Sequence, residues 1–363
     1  MTSGKILNSK IFNIFFICAF FLLAGTFSKS AYAQEKASEG SEKKFEPKDV
    51  ILEHISDAHF WPVALPLVKE SKLPLPVILY TDKGLEVFSS AKLLTEDTTK
   101  ENGIYHGKFY SYKLAGNKII AVNALGQPDE AANKKIWDFS ITRNVAGMFM
   151  TITVLLIIFL SISSSYRKRV GKAPKGLQSF LEPLILFIRD DVAIPNIGIK
   201  HTRYMPLLLT VFFFILINNL FGMIPVFPAG FNLTGNIAVT LTLATITLLV
   251  VNFSANKYYW KHIFLPPIPI WLYIIMVPVE LISVISRPFA LMIRLFANIT
   301  AGHIIVLSLI SLIFIFNTLW ISPVSVVFTV FIDTIELLVA FLQAYIFTML
   351  TSLFIGMAIE EHH

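Results

Sequence analysis

Six ionisable side chains interrupt two long apolar runs in the C-terminal part of the chain. Glu280, Arg287, Arg294 and His303 lie in the first run, Asp333 and Glu336 in the second, with the amides Asn298 and Gln343 beside them. Charge in an apolar setting is costly, so such groups are functional candidates by default. Their chemistry differs. A guanidinium effectively never deprotonates, so Arg294 cannot relay a proton. It can attract a passing carboxylate, hold it ionised and block direct proton leakage. An imidazole and a carboxylate exchange protons near neutral pH when burial and pairing tune them. His303 and Glu336 therefore read as a proton access path on one side of a fixed positive barrier. Plainer alternatives stand beside these. Glu280 and Arg287 can sit near a membrane face and snorkel, and His303 with Glu336 can be a buried pair that only locks two helices.

The elements that must position these groups are two long helices, roughly Val279–Thr318 and Ser322–Ile359, broken near Trp320-Ile-Ser-Pro323. If they fold back on each other about that break, Arg294 lies level with Gln343 and His303 level with Glu336. Glu336 and Gln343 are seven residues apart and share one helix face, as do Arg294 and Asn298 at a spacing of four. His303 is nine residues from Arg294, about half a turn off, so the two need not line one water path. A separate cluster, His54, Asp57 and His59, precedes Trp61-Pro62. It offers metal-ligand types without a fourth partner, and a polar turn is the plainer reading.

Composition decides the setting. The 363 residues are 55% hydrophobic and 15% charged, with a mean hydropathy of +0.67. Soluble domains carry about 25% charge, so an ordinary soluble enzyme, a disordered chain and a nucleic-acid-binding tail protein are excluded. The net charge of +6 does not point to nucleic acid, because the basic residues cluster in short loops beside apolar runs. Arg167-Lys168-Arg169 with Lys172 and Lys175, then Lys257, Lys261 and His262, mark two loops expected on the cytoplasmic side. The single cysteine, Cys18, excludes a disulfide framework or a Cys-rich zinc site within one chain.

Residues 1–33 read as a secretory signal peptide: Lys5 and Lys10, an apolar run from Ile11 to Gly25, and an exit at Ala31-Tyr32-Ala33. The alternative is a first membrane helix, for which the run is short against roughly 20 residues. Residues 34–143 form an extracytoplasmic region. It opens on a Glu/Lys/Ser-rich linker and continues as a small, mostly β domain. Pro76–Tyr80 and Leu85–Phe88 flank Thr81-Asp82-Lys83-Gly84, a hairpin signal, and Gly103–Lys113 and Lys118–Asn123 are further strands. Residues 144–363 form the transmembrane domain. Asn144–Tyr166 is one uncharged span. Gln178–Arg203, interrupted by Glu182, Arg189, Asp190, Asp191 and two prolines, suits a helix along the interface better than a span. Tyr204–Asn256 fits two spans joined by an external turn at Pro225–Gly235. The fold class is an all-α polytopic membrane protein of five to six membrane helices, two of them long and tilted in a hairpin, plus the β domain.

The run RPFALMIRLFANITAGH from Arg287 to His303, FLQAYIFTMLTSLFIGMAIEEH from Phe341 to His362, and Pro278-Val279-Glu280 together resemble subunit a of the membrane sector of bacterial F-type ATP synthases. The likeness covers most of the chain from about Asn144. It implies a stator beside a rotating ring of small proteolipid c subunits, each with an essential carboxylate, with protons passing through two offset half-channels. By that resemblance Arg294 is the arginine that separates the half-channels, and Gln343 the glutamine facing it. His303 and Glu336 are the pair of the external half-channel, in the order opposite to relatives with Glu first and His second. Asn298 is a polar channel residue and Glu280 a carboxylate near the cytoplasmic exit. Where relatives read M-D-L-L-P, this chain has Gly222 in Phe221-Gly-Met-Ile-Pro225, and Asn218 and Asn219 offer polarity instead. Peripheral stalk b subunits, membrane lipid and, indirectly, the catalytic head are the other implied partners. No cofactor and no catalytic turnover of its own are expected. The implied location is the bacterial inner membrane, with the mature N-terminus outside and the C-terminus in the cytoplasm. The chain has no G-x-x-x-x-G-K-[ST] loop and no H-E-x-x-H. A secondary transporter with an intramembrane arginine anion site is the competing reading.

Overall fold

The computed structural model describes residues 57–63, 71–94, 104–123, 125–168, 171–224, 227–265, 269–316 and 321–360. The expected leader at 1–33 and linker, together with His54, Pro225 and Trp320, lie outside the described residues.

The described residues of the N-terminal region form eight short strands. β1 (Phe60–Val63) pairs antiparallel with β2 (Ser71–Pro74). β3 (Pro76–Thr81) and β4 (Gly84–Ser89) form the expected hairpin, with Thr81 opposite Gly84 across Asp82-Lys83. Gly84 takes φ +133°, which only glycine adopts without strain. A short helix, α1 (Ala91–Leu94), follows. The run expected as one strand over Gly103–Lys113 is instead two, β5 (Ile104–His106) and β6 (Ser111–Ala115), which pair through a turn in which the Gly107 N–H donates to the Tyr110 carbonyl at 2.9 Å. β7 (Lys118–Val122), α2 (Glu130–Asn133) and β8 (Trp137–Asp138) complete the region. The two three-stranded sheets, ordered β4-β3-β8 and β5-β6-β7, share a core of Val77, Leu79, Phe88, Tyr112 and Ala121. Val77, Leu79 and Thr81 alternate inward along β3. Buried Glu86 accepts from the Tyr112 hydroxyl at 2.9 Å; burial first, then this bond, pushes the phenol pKa up.

Asp138 links this region back to its start. Burial would raise its pKa, but bonds from His59 (3.2 Å to Nε2) and from Ser140 outweigh it and hold the carboxyl below its usual range. A depressed carboxylate stabilises the fold above its unfolded pKa, near 3.9, and that contribution is lost as pH falls through the folded value. The thermal stability of the β region should therefore drop as pH falls below about 4, and Asp138→Asn should flatten that drop. Tryptophan fluorescence melts of the detergent-solubilised protein across this acid range check it.

The rest is helical. α3 (Arg143–Lys168) starts where the Asp57 carboxylate accepts from the Asn144 N–H at 3.1 Å and the Ala58 carbonyl from the Arg143 N–H at 2.8 Å. Orphan N–H groups of the first helical turn thus find partners in the strand region. α4 (Leu177–Phe187), a π-helical turn at Ile188–Ala193 and α5 (Ile194–Ile197) follow. Next come α6 (His201–Met223), α7 (Ile237–Ser254), α8 (Lys257–Phe264), α9 (Tyr273–Phe316) and α10 (Ile321–Ile359). Among the described residues five helical stretches are long and apolar enough to cross a membrane. The 178–203 segment, expected along the interface, packs into this helical core. Val192 and Ile197 are buried, the Val192 carbonyl accepts from Ser352 Oγ at 3.1 Å, and the Asn196 carbonyl sits against Gly356 with no room for a Cβ.

Along α10, Ala340, Ala344, Thr348, Ser352 and Gly356 recur every four residues and all are buried. Small residues at this spacing let helices approach closely where lipid offers no hydrophobic drive. α10 packs there against α6 and α9, with Leu208, Phe212, Leu291, Leu295 and Phe347 filling the core. Asn256 closes the end of α10: its N–H and Nδ2 donate to the carbonyls of Ala358 and Ile359, each at 2.8 Å. α9 begins at Tyr273, six residues before the expected start, and runs through Pro278 and Pro288. Membrane helices tolerate such prolines because neighbours re-satisfy the freed carbonyls.

Candidate functional site

α9 and α10 pack antiparallel, and their polar side chains meet across the pair in steps. Nearest the turn, Ser325 Oγ donates to the Leu309 carbonyl. Next, His303 Nε2 lies 3.9 Å from Glu336 Oε1, with Glu336 buried and His303 mostly so. Two glycines make the room. A Cβ on Gly302 would lie 2.9 Å from Glu336 Oε1, and one on Gly222 of α6 would lie 3.6 Å from His303 Nε2. Half-buried Asp333 is three residues before Glu336, on the same helix face. Asn218 and Asn219, at 1% and 2% exposure, continue the polar path on α6. Thr151 Oγ1 donates to Asn218 at 2.9 Å, Thr234 Oγ1 donates to Asn219 at 2.7 Å, and Asn219 Nδ2 donates to the Ala340 carbonyl.

Further from the turn, Asn298 Nδ2 donates to Gln343 Oε1 at 2.8 Å. The sequence register placed Gln343 level with Arg294; the structure gives it to Asn298, one turn nearer the hairpin. An amide pair satisfies Gln343 Oε1 inside the chain, while its buried Nε2 has no hydrogen-bond partner among the described residues. Arg294 itself is exposed on the outer face of α9, beside exposed Phe289, Ala290, Ile293, Ala297 and Ala301. Among the described residues no carboxylate pairs with it.

Glu280 is in neither cluster. It lines a cavity of about 230 Å³ at the far end of α9, together with Tyr258, Tyr259, His262, Arg287 and Glu360. The Arg287 guanidinium also lies over the Phe354 ring, 5.7 Å from its centroid. Tyr259 has its pKa raised chiefly by burial. The sequence singles out Glu280 and Arg287 but not Tyr258, Tyr259 or Glu360 beside them, and His262 only as a mark of a cytoplasmic loop. The cavity joins α8, the start of α9 and the end of α10, a meeting that no local spacing signals. Along one helix Glu280 and His303 are about 35 Å apart, with Arg294 between them, about 21 Å from the first and 14 Å from the second.

The His54/Asp57/His59 cluster divides. Asp57 Oδ1 accepts from the N–H groups of Ala58 and Asn144, and His59 pairs with Asp138. The described residues hold no group of three or more His, Cys, Asp or Glu side chains placed to share a metal ion.

Comparison with known proteins adds the family. The family model described as ATP synthase A chain matches residues 147–356, and one described as a domain of unknown function (DUF8433) matches residues 50–139. The chain is 50% identical over 234 residues to the ATP synthase subunit a of Chloroherpeton thalassium, covering 62% of this chain and 69% of that one. It is 48% identical over 237 residues to that of Pelodictyon phaeoclathratiforme (62% and 68%). With that of Chlorobium phaeobacteroides strain DSM 266 the identity is 47% over 268 residues (71% and 75%). The first of these family matches spans more than half the chain and contains α6, α7 and α9 whole, together with all but the ends of α3 and α10. A multi-pass membrane protein with these helices and these relatives belongs to the family of subunit a, the Fo component of bacterial F-type ATP synthases.

Proposed function

We propose that this chain is the proton-conducting stator of its complex: protons reach and leave a carboxylate on a rotating ring through two offset half-channels. The observation that carries this is the placement of Arg294. A side chain that cannot lose its charge stands on an open, apolar face of a membrane-length helix, between two polar sites at opposite ends. A lone guanidinium in lipid needs an anion, and exposed Ala290, Ala297 and Ala301 let another helix approach it closely. A ring of c subunits bearing carboxylates supplies both. A transporter's anion site would enclose the arginine in a pocket; here it lies on an outer face.

His303 and Glu336, with Asn218 and Asn219 above them, are the uptake side. Asn298 and Gln343 line the contact with the ring near Arg294. Glu280 and its cavity are the release side. Orientation follows the basic ends. Arg167, Lys168, Lys257 and Lys261 lie at the Glu280 end and belong in the cytoplasm. The β region belongs outside, delivered by the leader at 1–33, with residues 34–143 extracytoplasmic and 144–363 the channel domain. Peripheral stalk b subunits hold the stator against the turning ring, and the catalytic head draws on the rotation. One charge crossing 100 mV is worth roughly 2.3 kcal/mol, so several must pass for each ATP.

Sidedness tests the reading. In vesicles carrying the complete complex, Glu280→Gln should lower proton-driven ATP synthesis about tenfold, less than the 10²–10⁴ of a sole proton carrier, because His262 and Glu360 share its cavity. The deficit should vary with pH on the cytoplasmic side and be indifferent to pH on the other. A deficit that follows the external pH instead sinks the assignment of the two ends.

A further inference from the structure

The strand region is joined to the membrane helices at the uptake end by more than its connecting chain. Trp61 of β1 is 5% exposed. Its indole N–H donates to the Ala229 carbonyl at 3.2 Å, and its ring meets Phe227 and Phe231 edge-on at 5.5 and 5.8 Å. A buried indole that finds both a carbonyl and aromatic edges is a strong local anchor. What it anchors is the uncharged segment between α6 and α7, described from residue 227 to 236.

That segment reaches the uptake site along two routes. Phe231 is fully buried, and a Cβ on Gly147 of α3 would lie 2.5 Å from its ring. Its carbonyl stands 3.4 Å from the Cβ position of Gly222, the same position that is 3.6 Å from His303 Nε2. The Gly230 N–H donates to the Phe221 carbonyl at 2.9 Å. Along the second route Thr234 holds Asn219, which holds the Ala340 carbonyl on α10, four residues beyond Glu336. Meanwhile Asp57 and Ala58, just before β1, bind the first N–H groups of α3.

We propose that Trp61 is a positioning residue for proton uptake: it pegs the 227–236 segment, and through Phe231 and Asn219 sets the space beside His303 and Glu336. The β region is then a working part of the uptake path. This rests on reading that pair as the uptake site. A peg of this kind acts at a distance, through packed side chains with a defined arrangement, and it touches no proton itself.

The test uses the complete complex in vesicles, with Trp61→Ala and Trp61→Phe. A second pair of chains carries Ala229→Cys in a Cys18→Ser background, with and without Trp61→Ala, for labelling by a membrane-impermeant maleimide from outside. Trp61→Ala is expected to lower ATP synthesis roughly two- to thirtyfold and to move the dependence of synthesis on external pH, with the cytoplasmic-pH profile unmoved. Labelling at 229 should speed up about tenfold as the segment loosens. Trp61→Phe keeps the ring contacts and loses the N–H bond, so it should move the same external profile by less. Parental synthesis with a parental external-pH profile in Trp61→Ala overturns the proposal, and so does a loss of synthesis with labelling unchanged. If Trp61→Ala does not assemble, Trp61→Phe decides alone, and an unmoved external-pH profile overturns it. Full synthesis by Glu336→Gln would instead overturn the uptake assignment, whatever the Trp61 variants do.

Discussion

Replacing Arg294 by alanine should lower proton-driven ATP synthesis at least about 100-fold, the scale on which removing one preorganised electrostatic partner acts. On the proposed mechanism the ring carboxylate is ionised as it passes between two half-channels. In an apolar contact that ionised state needs a fixed positive charge beside it. Arg294 stands on an open face with no carboxylate of its own chain paired to it among the described residues, so its charge is available to a partner. Without it the acid stays protonated, and rotation past the stator has no direction-setting step. Arg294→Lys separates charge from permanence. A lysine ammonium carries the same charge but can give up its proton in dry surroundings, and it lacks the planar fork that grips a carboxylate. The lysine chain should therefore recover less than a tenth of parental synthesis. Assays of ATP synthesis and of passive proton flux on the same vesicles check both variants. Parental coupling in Arg294→Ala would remove the arginine from the mechanism.

The packing of α9 on α10 was legible because its signals are local and strong. Two apolar runs flank the break expected near Trp320–Pro323, and α9 and α10 fall almost where they were expected, although α10 already includes Ile321–Pro323. His303 and Glu336 met as predicted, because a pair near the turn tolerates little error in register. Gln343 lies further from the turn, where small errors accumulate, and it went to Asn298. α9 starts at Tyr273 rather than near Val279 and carries Pro278 within it, which packed membrane helices absorb. The β3–β4 hairpin followed from its turn residues. Two features had no local signal at all. Trp61 reaches Ala229 across 168 residues, and the Glu280 cavity gathers side chains from three elements. Contacts of that range arise from packing, and hydrophobic periodicity along one segment says nothing about them. The small residues of α10 were visible as types, but their fourfold recurrence gains meaning only once α6 lies against it.

The order of the uptake pair supplies the second large effect. The resemblance to the family implies that some relatives carry Glu at the first position and His at the second, while this chain carries His303 and Glu336. If the pair works as one proton-exchanging unit, each single exchange should fail and the double exchange should recover. His303→Glu sets two carboxylates across a gap of 3.9 Å, where they cannot both stay ionised without strong repulsion. Glu336→His sets two imidazoles there and removes the acid. Each should lower proton-driven synthesis about 100-fold, within the usual worth of a general acid–base group. The double variant keeps one acid and one base at the same separation. Gly302 and Gly222 leave the space in which an imidazole at 336 and a carboxylate at 303 must turn. Synthesis in the double variant should return to within about tenfold of the parent, a coupling far outside the additivity of independent sites. The external-pH profile should also move between parent and double variant, since the acid and the base have exchanged helices. A double variant no better than the worse single would mean that His303 and Glu336 act separately, and that their proximity is packing alone.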